Sequence, residues 1–155
     1  MPSITTELAK VLSAVQRPGD FYASGITAMR APRLEVEGVG PIALPLLPAQ
    51  AQQLIAVAEQ APYGRGAETL IDSQVRRTWQ IDEARVHLEG QGWTETLTNI
   101  VTWAAASLGV TGRVAAELYK LLIYDEGSFF VSHRDTEKAP GMFATLVIVL
   151  PSIYT

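Results

Sequence analysis

His133 and Asp135 are of a type and at a spacing that can do metal chemistry; they flank Arg134 in the chain's only His-x-Asp triplet. On a β-strand successive side chains point to opposite faces, so residues two apart share one. A neutral imidazole beside a carboxylate suits a divalent ion that accepts nitrogen and oxygen: Fe(II), Mn, Co, Ni or Zn. With one further histidine the pair becomes a two-histidine, one-carboxylate set that leaves coordination positions open. Taken alone, the triplet is equally an exposed ion pair at a strand end, worth ~0–1 kcal/mol. Its surroundings favour the metal, because Phe129-Phe130 precede it and would wall the site with apolar surface. His87, the only other histidine, sits in Arg85-Val86-His87-Leu88 and reads as a partly buried structural residue.

The triplet needs a rigid support, and the sequence around it supplies strand patterns. Residues 118–124 read as a strand, Asp125-Glu126-Gly127 as a turn and residues 128–133 as the next strand. Residues 136–141 form a loop with Pro140-Gly141 as its turn signal. Met142 to Leu150 is a nearly continuous apolar run, predicting a strand buried on both faces, and Pro151 ends it.

Upstream, helices alternate with extended segments. Leu8, Val11, Leu12 and Val15 make one apolar face of a helix over 4–16, capped by Ser3 or Thr5 and expected to cover the core. Phe21 to Met29 predicts a strand, and Leu34 to Glu37 another, followed by the Gly38-Val39-Gly40-Pro41 turn and Ile42-Ala43-Leu44. No helix follows those glycines, so they do not form a dinucleotide fingerprint. Pro48 opens a helix over 48–61 with Ala51, Leu54, Ile55 and Ala58 inward, and Pro62 stops it. Residues 62–70, with Gly64 and Gly66, read as a loop bearing Tyr63 and Arg65. Residues 71–81 predict a strand with Arg77, Trp79 and Ile81 on one face and Arg76, Thr78 and Gln80 on the other. Two arginines there could line a pocket for an acidic ligand, or lie over apolar surface on an exposed edge. The broad apolar face of residues 92–109 predicts a helix ended by Gly109, with Trp93 and Trp103 as packing residues.

The totals bound what the chain can be. Its 155 residues suit one domain, and 48% hydrophobic against 18% charged residues allow a real core. A formal net charge of −4 gives no concentrated basic surface, which argues against nucleic acid as partner. Without cysteine there is neither a disulfide framework nor a thiolate metal site. No apolar stretch approaches the ~20 residues of a membrane span, and the N-terminus has no secretory pattern, so a soluble cytoplasmic protein without a membrane partner is expected.

The run Tyr124-x-x-Gly127-x-x-Phe130-x-x-His133-x-Asp135, followed by Thr145-Leu146-Val147-Ile148-Val149-Leu150-Pro151, resembles the first half of the catalytic core of the Fe(II)- and 2-oxoglutarate-dependent dioxygenases, the prolyl 4-hydroxylase-like branch above all. The resemblance is specific from about Leu118 to Pro151. It implies an α+β chain whose double-stranded β-helix, or jelly roll, is incomplete: a support region over 1–115 with N-terminal helices, and the first half of the core over 116–155. His133 and Asp135 would be the first two iron ligands. Tyr124 matches a strand tyrosine that lies against 2-oxoglutarate, or else is a buried tyrosine with a structural partner. Thr145 and Val147 would look toward the cofactor or its backing core. Phe130 stands where prolyl hydroxylases usually carry tyrosine.

The family's second iron-binding histidine and its basic partner for 2-oxoglutarate lie further downstream and have no match up to Thr155. The expectation is therefore a truncated dioxygenase, acting on an organic or protein substrate, with little activity alone. Strand edges near Met142 to Leu150 would pair with a second copy or a complementing segment. The alternative is a non-catalytic binding module on a partial oxygenase scaffold. A zinc hydrolase fits less well, because it wants three protein ligands.

Overall fold

The computed structural model describes residues 3–15, 18–28, 31–65, 68–133, 135 and 137–153. The described residues are mixed α+β, with three α-helices and small antiparallel sheets. It divides into two compact units, Met1–Met29 with Thr94–Ala115, and Arg30–Trp93 with Ala116–Thr155.

The first unit holds α1 (Ile4–Ala14) and nearly all of α3 (Trp93–Ser107). Ser3 caps α1, its Oγ accepting the Thr6 N–H at 3.2 Å. No residue of α1 is buried, and Ile4, Leu8, Val11 and Leu12 all face solvent. This corrects the expected packing helix: a 3.6-residue period states which face of a helix is apolar, not what covers it. Residues 20–28 form no strand, and Met29 lies outside the described residues. Helix α3 ends as expected at Gly109, whose φ of +73° suits glycine. The Gly109 N–H reaches the Ala106 carbonyl at 3.0 Å and the Val110 N–H reaches Ala105 at 2.9 Å, the paired bonds of a Schellman motif. Only Ala105 of α3 is buried, and Trp103 is half exposed.

The second unit holds the core. Strands β1 (Arg33–Val36) and β2 (Gly40–Ile42) form the predicted hairpin, with Gly38 in the turn at φ +86°. Strand β8 (Val86–Glu89) pairs with the other edge of β1. Helix α2 (Pro48–Val57) starts at Pro48 but stops well before Pro62. Its last carbonyl, Val57, accepts from Arg85 Nη1 at 3.0 Å, and Arg85 Nη2 bonds the Glu37 carbonyl at 3.2 Å. A cation at a helix C-terminus both satisfies an orphan carbonyl and opposes the helix dipole. Strand β3 (Glu59–Gln60) follows and pairs with β7 (Trp79–Asp82), whose other edge takes β9 (Lys120–Ile123). Leu34, Val36, Ile42, Leu54, Ile81, Val86 and Ile123 interlock as one buried cluster.

Three strand expectations change. Residues 62–70, read as a loop, contain the two-stranded β4 (Tyr63–Arg65) and β5 (Glu68–Leu70). The single strand over 71–81 is two, because β6 (Arg76–Arg77) pairs with β10 (Phe129–Phe130) while β7 pairs elsewhere. The change of partner falls at Thr78, so the buried positions are Thr78 and Ile81, three apart, which unbroken strand alternation does not produce. Residues 142–150, expected to be buried on both faces, lie in no ladder, and Val149 is 89% exposed. An apolar run provides the residues for a buried strand, but a ladder also needs an edge to pair with. Backbone hydrogen bonds to a distant segment resume beyond this run, where Leu46 N–H bonds the Pro151 carbonyl at 2.8 Å and Ile153 N–H the Leu46 carbonyl at 2.9 Å.

Candidate metal centre

The β6–β10 ladder delivers the triplet. Its register places Phe129 opposite Arg77 and Phe130 opposite Arg76. A hydrogen bond from Val131 N–H to the Val75 carbonyl, at 3.1 Å, carries the pairing one residue further. There the ladder ends. His133 and Asp135 lie beyond it, outside any strand, so strand alternation is not what brings them together.

Hydrogen bonds do this instead. His133 Nδ1 lies 2.9 Å from the Val131 carbonyl, which can only accept, so Nδ1 carries the proton. Nε2, the other ring nitrogen, stands 3.5 Å from Asp135 Oδ1. The other carboxylate oxygen, Oδ2, accepts from Thr145 Oγ1 at 2.8 Å. The imidazole is stacked on Phe130, ring centroids 3.5 Å apart and planes 18° from parallel. Backbone carbonyl on one ring nitrogen, hydroxyl on one carboxylate oxygen and a ring against the imidazole are the outer-shell devices that orient metal ligands.

Two lone-pair donors aimed at each other need a cation between them. A proton on Nε2 makes the pair an ion bridge; a metal ion makes it half a coordination shell. With metal–ligand distances of about 2.1 Å, neighbouring donors sit about 3.0 Å apart in octahedral geometry and about 3.4 Å in tetrahedral geometry. The observed 3.5 Å is close to the tetrahedral span and about 0.5 Å longer than the octahedral one. The side chains of His133 and Asp135 are 40% and 56% exposed, so an ion and a ligand could reach them from solvent. Among the described residues no group of three His, Cys, Asp or Glu side chains is placed to hold a metal ion. The pair thus offers two donors that face each other.

The other candidates divide. Thr145 joins the site, but as the residue that orients Asp135. Val147 is largely exposed. Tyr124 follows β9 and is more than half exposed, not a buried structural tyrosine; its hydroxyl bears on Arg76. His87 is exposed on β8 opposite Glu35, in the other three-stranded sheet, and does not approach the pair.

The pocket imagined around Arg76, Arg77, Trp79 and Gln80 does not form. Arg77 faces Asp125 at 3.9 Å, and Gln80 Oε1 accepts from Lys120 Nζ at 2.7 Å. Trp79 packs on the core, its indole N–H without an acceptor at hydrogen-bonding geometry. Arg76 alone turns to the site, its guanidinium carbon 4.4 Å from the centre of the Phe130 ring. Burial pulls the Arg76 guanidinium below its ordinary value, and Tyr124 and Asp135 partly oppose this. The Arg76–Phe130–His133 series went unseen in the sequence because it depends on the β6–β10 register across more than fifty residues. The one available signal was an arginine alternating with aromatic and polar residues in a strand.

No protein-family model, no curated protein and no solved structure matches this chain.

Proposed function

We propose that His133 and Asp135 are two ligands of an Fe(II) centre in a 2-oxoglutarate-dependent dioxygenase that carries out hydroxylase-type oxidation of an organic or protein substrate. One observation supports this most: Nε2 of His133 and Oδ1 of Asp135 converge at 3.5 Å, while a carbonyl and a hydroxyl hold the opposite ends of the two side chains. On this reading the short sheets of the second unit begin a double-stranded β-helix. Bound iron, with 2-oxoglutarate and oxygen, would supply the oxidising power. The chain's own residues orient the donors: the Val131 carbonyl holds Nδ1 and so turns Nε2 toward Asp135, and Thr145 fixes which carboxylate oxygen faces it. With two protein donors, succinate formation by the chain alone is expected to be slow.

Metal binding tests the reading directly. Co(II) or Mn(II) titration, followed by absorption or electron paramagnetic resonance, should show one site. His133→Ala should abolish it, and Thr145→Val should weaken it about tenfold, the usual range for an outer-shell partner. Fe(II)-dependent conversion of 2-oxoglutarate to succinate should fall with His133→Ala. Equal turnover or equal metal affinity in that variant sinks the assignment. A second reading, a non-catalytic interaction module, is favoured by the exposed apolar run at 142–150; it predicts no metal-dependent turnover and no loss on His133→Ala.

A further inference from the structure

Three arginines of the second unit show three ways of settling a positive charge. Arg77 faces the Asp125 carboxylate. Arg85 sits on the carbonyl end of α2. Arg76 has neither kind of partner. It is half buried, and its Nε donates to Thr78 Oγ1 at 3.3 Å and its Nη1 to the Pro62 carbonyl at 2.8 Å. Its flat face lies on Phe130. These three partners and the Tyr124 hydroxyl are neutral, and the one negative charge bearing on Arg76, that of Asp135, makes no ion pair with it. Among the described residues, no carboxylate comes within ion-pair distance of Arg76. Charged side chains leave water at a cost that a counter-ion normally offsets.

We propose that Arg76 anchors the carboxylate of a small organic acid beside the His133–Asp135 pair. The hydrogens still free on the two terminal nitrogens form a planar fork, which matches the two oxygens of a carboxylate. Tyr124, whose hydroxyl bears on Arg76, is placed to add a further donor. The nearby negative charge of Asp135 disfavours a phosphate dianion and leaves the singly charged carboxylate as the better fit. Thr78, 1% exposed, pins the guanidinium from inside the core, so the fork is held in place before the ligand arrives. The Phe130 ring touches both Arg76 and His133, which puts the anion site next to the metal pair. The inference rests on the dioxygenase reading for its choice of 2-oxoglutarate as probe; the unneutralised cation does not depend on it.

The experiment is a titration of the full chain, free of metal, with 2-oxoglutarate, with glutarate (the same diacid without the oxo group) and with inorganic phosphate, read by calorimetry. Both diacids should bind in preference to phosphate. Arg76→Gln should weaken them about tenfold or more, as loss of a charge-assisted contact does. Arg77→Gln, whose guanidinium faces Asp125, should leave metal-free binding within about twofold. Should Arg76→Gln lose its fold, the Arg76 Nε–H resonance in wild-type protein, assigned with Arg76→Lys, should shift on titration. An unmoved resonance, undiminished binding in a folded Arg76→Gln variant, or no diacid binding by the wild type overturns the inference. Diacid binding that depends on Arg76 in a protein that holds no metal would uphold it while the iron reading fails. Stronger binding of 2-oxoglutarate than glutarate once Mn(II) is added would identify the ligand as the co-substrate; equal binding would point to a carboxylate on the substrate.

Discussion

Asp125 shows how one side chain shapes the route to the candidate site. It opens the turn between β9 and β10, accepting from Ser128 Oγ while its own N–H donates to that Oγ at 3.0 Å. The Ser128 hydroxyl holds the Asp125 carboxyl below its ordinary value, with help from the Arg77 charge. A depressed carboxyl stabilises the folded chain above the unfolded-state value, ~3.9, and loses that contribution as pH falls through the lower folded value. Wild-type protein should therefore be more stable than Asp125→Asn at pH 6, and the gap in urea midpoint should narrow below about pH 4. A gap that is constant with pH would show that the carboxylate's charge contributes nothing. At this scale the spacing of His133 and Asp135 survives folding even where the expected strand does not, whereas Thr145, expected to face the cofactor, bonds Asp135 instead. Arg76 was seen only as one of two equivalent arginines: which of them turned to the site was decided by the pairing of β6 with β10.

Elements were legible where local chemistry ends them. The Ser3 cap, Pro48 at the first turn of α2 and Gly109 after α3 all act within a few residues, and each stands where expected. Strands were less legible, since a strand exists only with a partner. The run over 71–81 splits between two sheets, and 142–150 pairs with none among the described residues. In the first unit the limiting feature is a backbone crossing that sequence pattern does not reveal. A Cβ on Gly109 would lie 2.4 Å from the Pro18 carbonyl carbon, and one on Gly19 would lie 2.1 Å from Gly109 N. Gly109 also has φ +73°, whereas Gly19 has no such constraint. Gly19→Ala should thus destabilise by overlap alone, about 1–3 kcal/mol, and Gly109→Ala by overlap plus about 1 kcal/mol of backbone strain. Gly112→Ala, where a Cβ would meet nothing within 4 Å, serves as the control. Thermal melts that rank Gly112→Ala with the other two would refute the crossing.

At the scale of the whole molecule, the apolar surface is what remains to be accounted for. The described residues include no helix long and apolar enough to cross a membrane, yet large apolar side chains stand exposed in both units. The run Ala144-Thr145-Leu146-Val147-Ile148-Val149-Leu150 carries no charge, no proline and no glycine. Its backbone donors and acceptors form no ladder. Uncharged and rich in β-branched residues, such a segment is a template for pairing with a copy of itself. The chain should accordingly self-associate as its concentration rises, and Val149→Lys, at a position 89% exposed, should suppress this without lowering the melting temperature. A charge on one partner faces the same charge on the other when identical segments pair in register, so the substitution acts twice per contact. Light scattering across a concentration series reads the outcome. A wild-type chain that stays monomeric throughout, or a variant that associates equally, would mean that the run is not the contact. Thr145 lies in the same run and bonds Asp135, so pairing of this segment would stiffen one wall of the proposed metal site. Metal affinity measured at rising protein concentration should then increase for the wild type and remain flat for Val149→Lys.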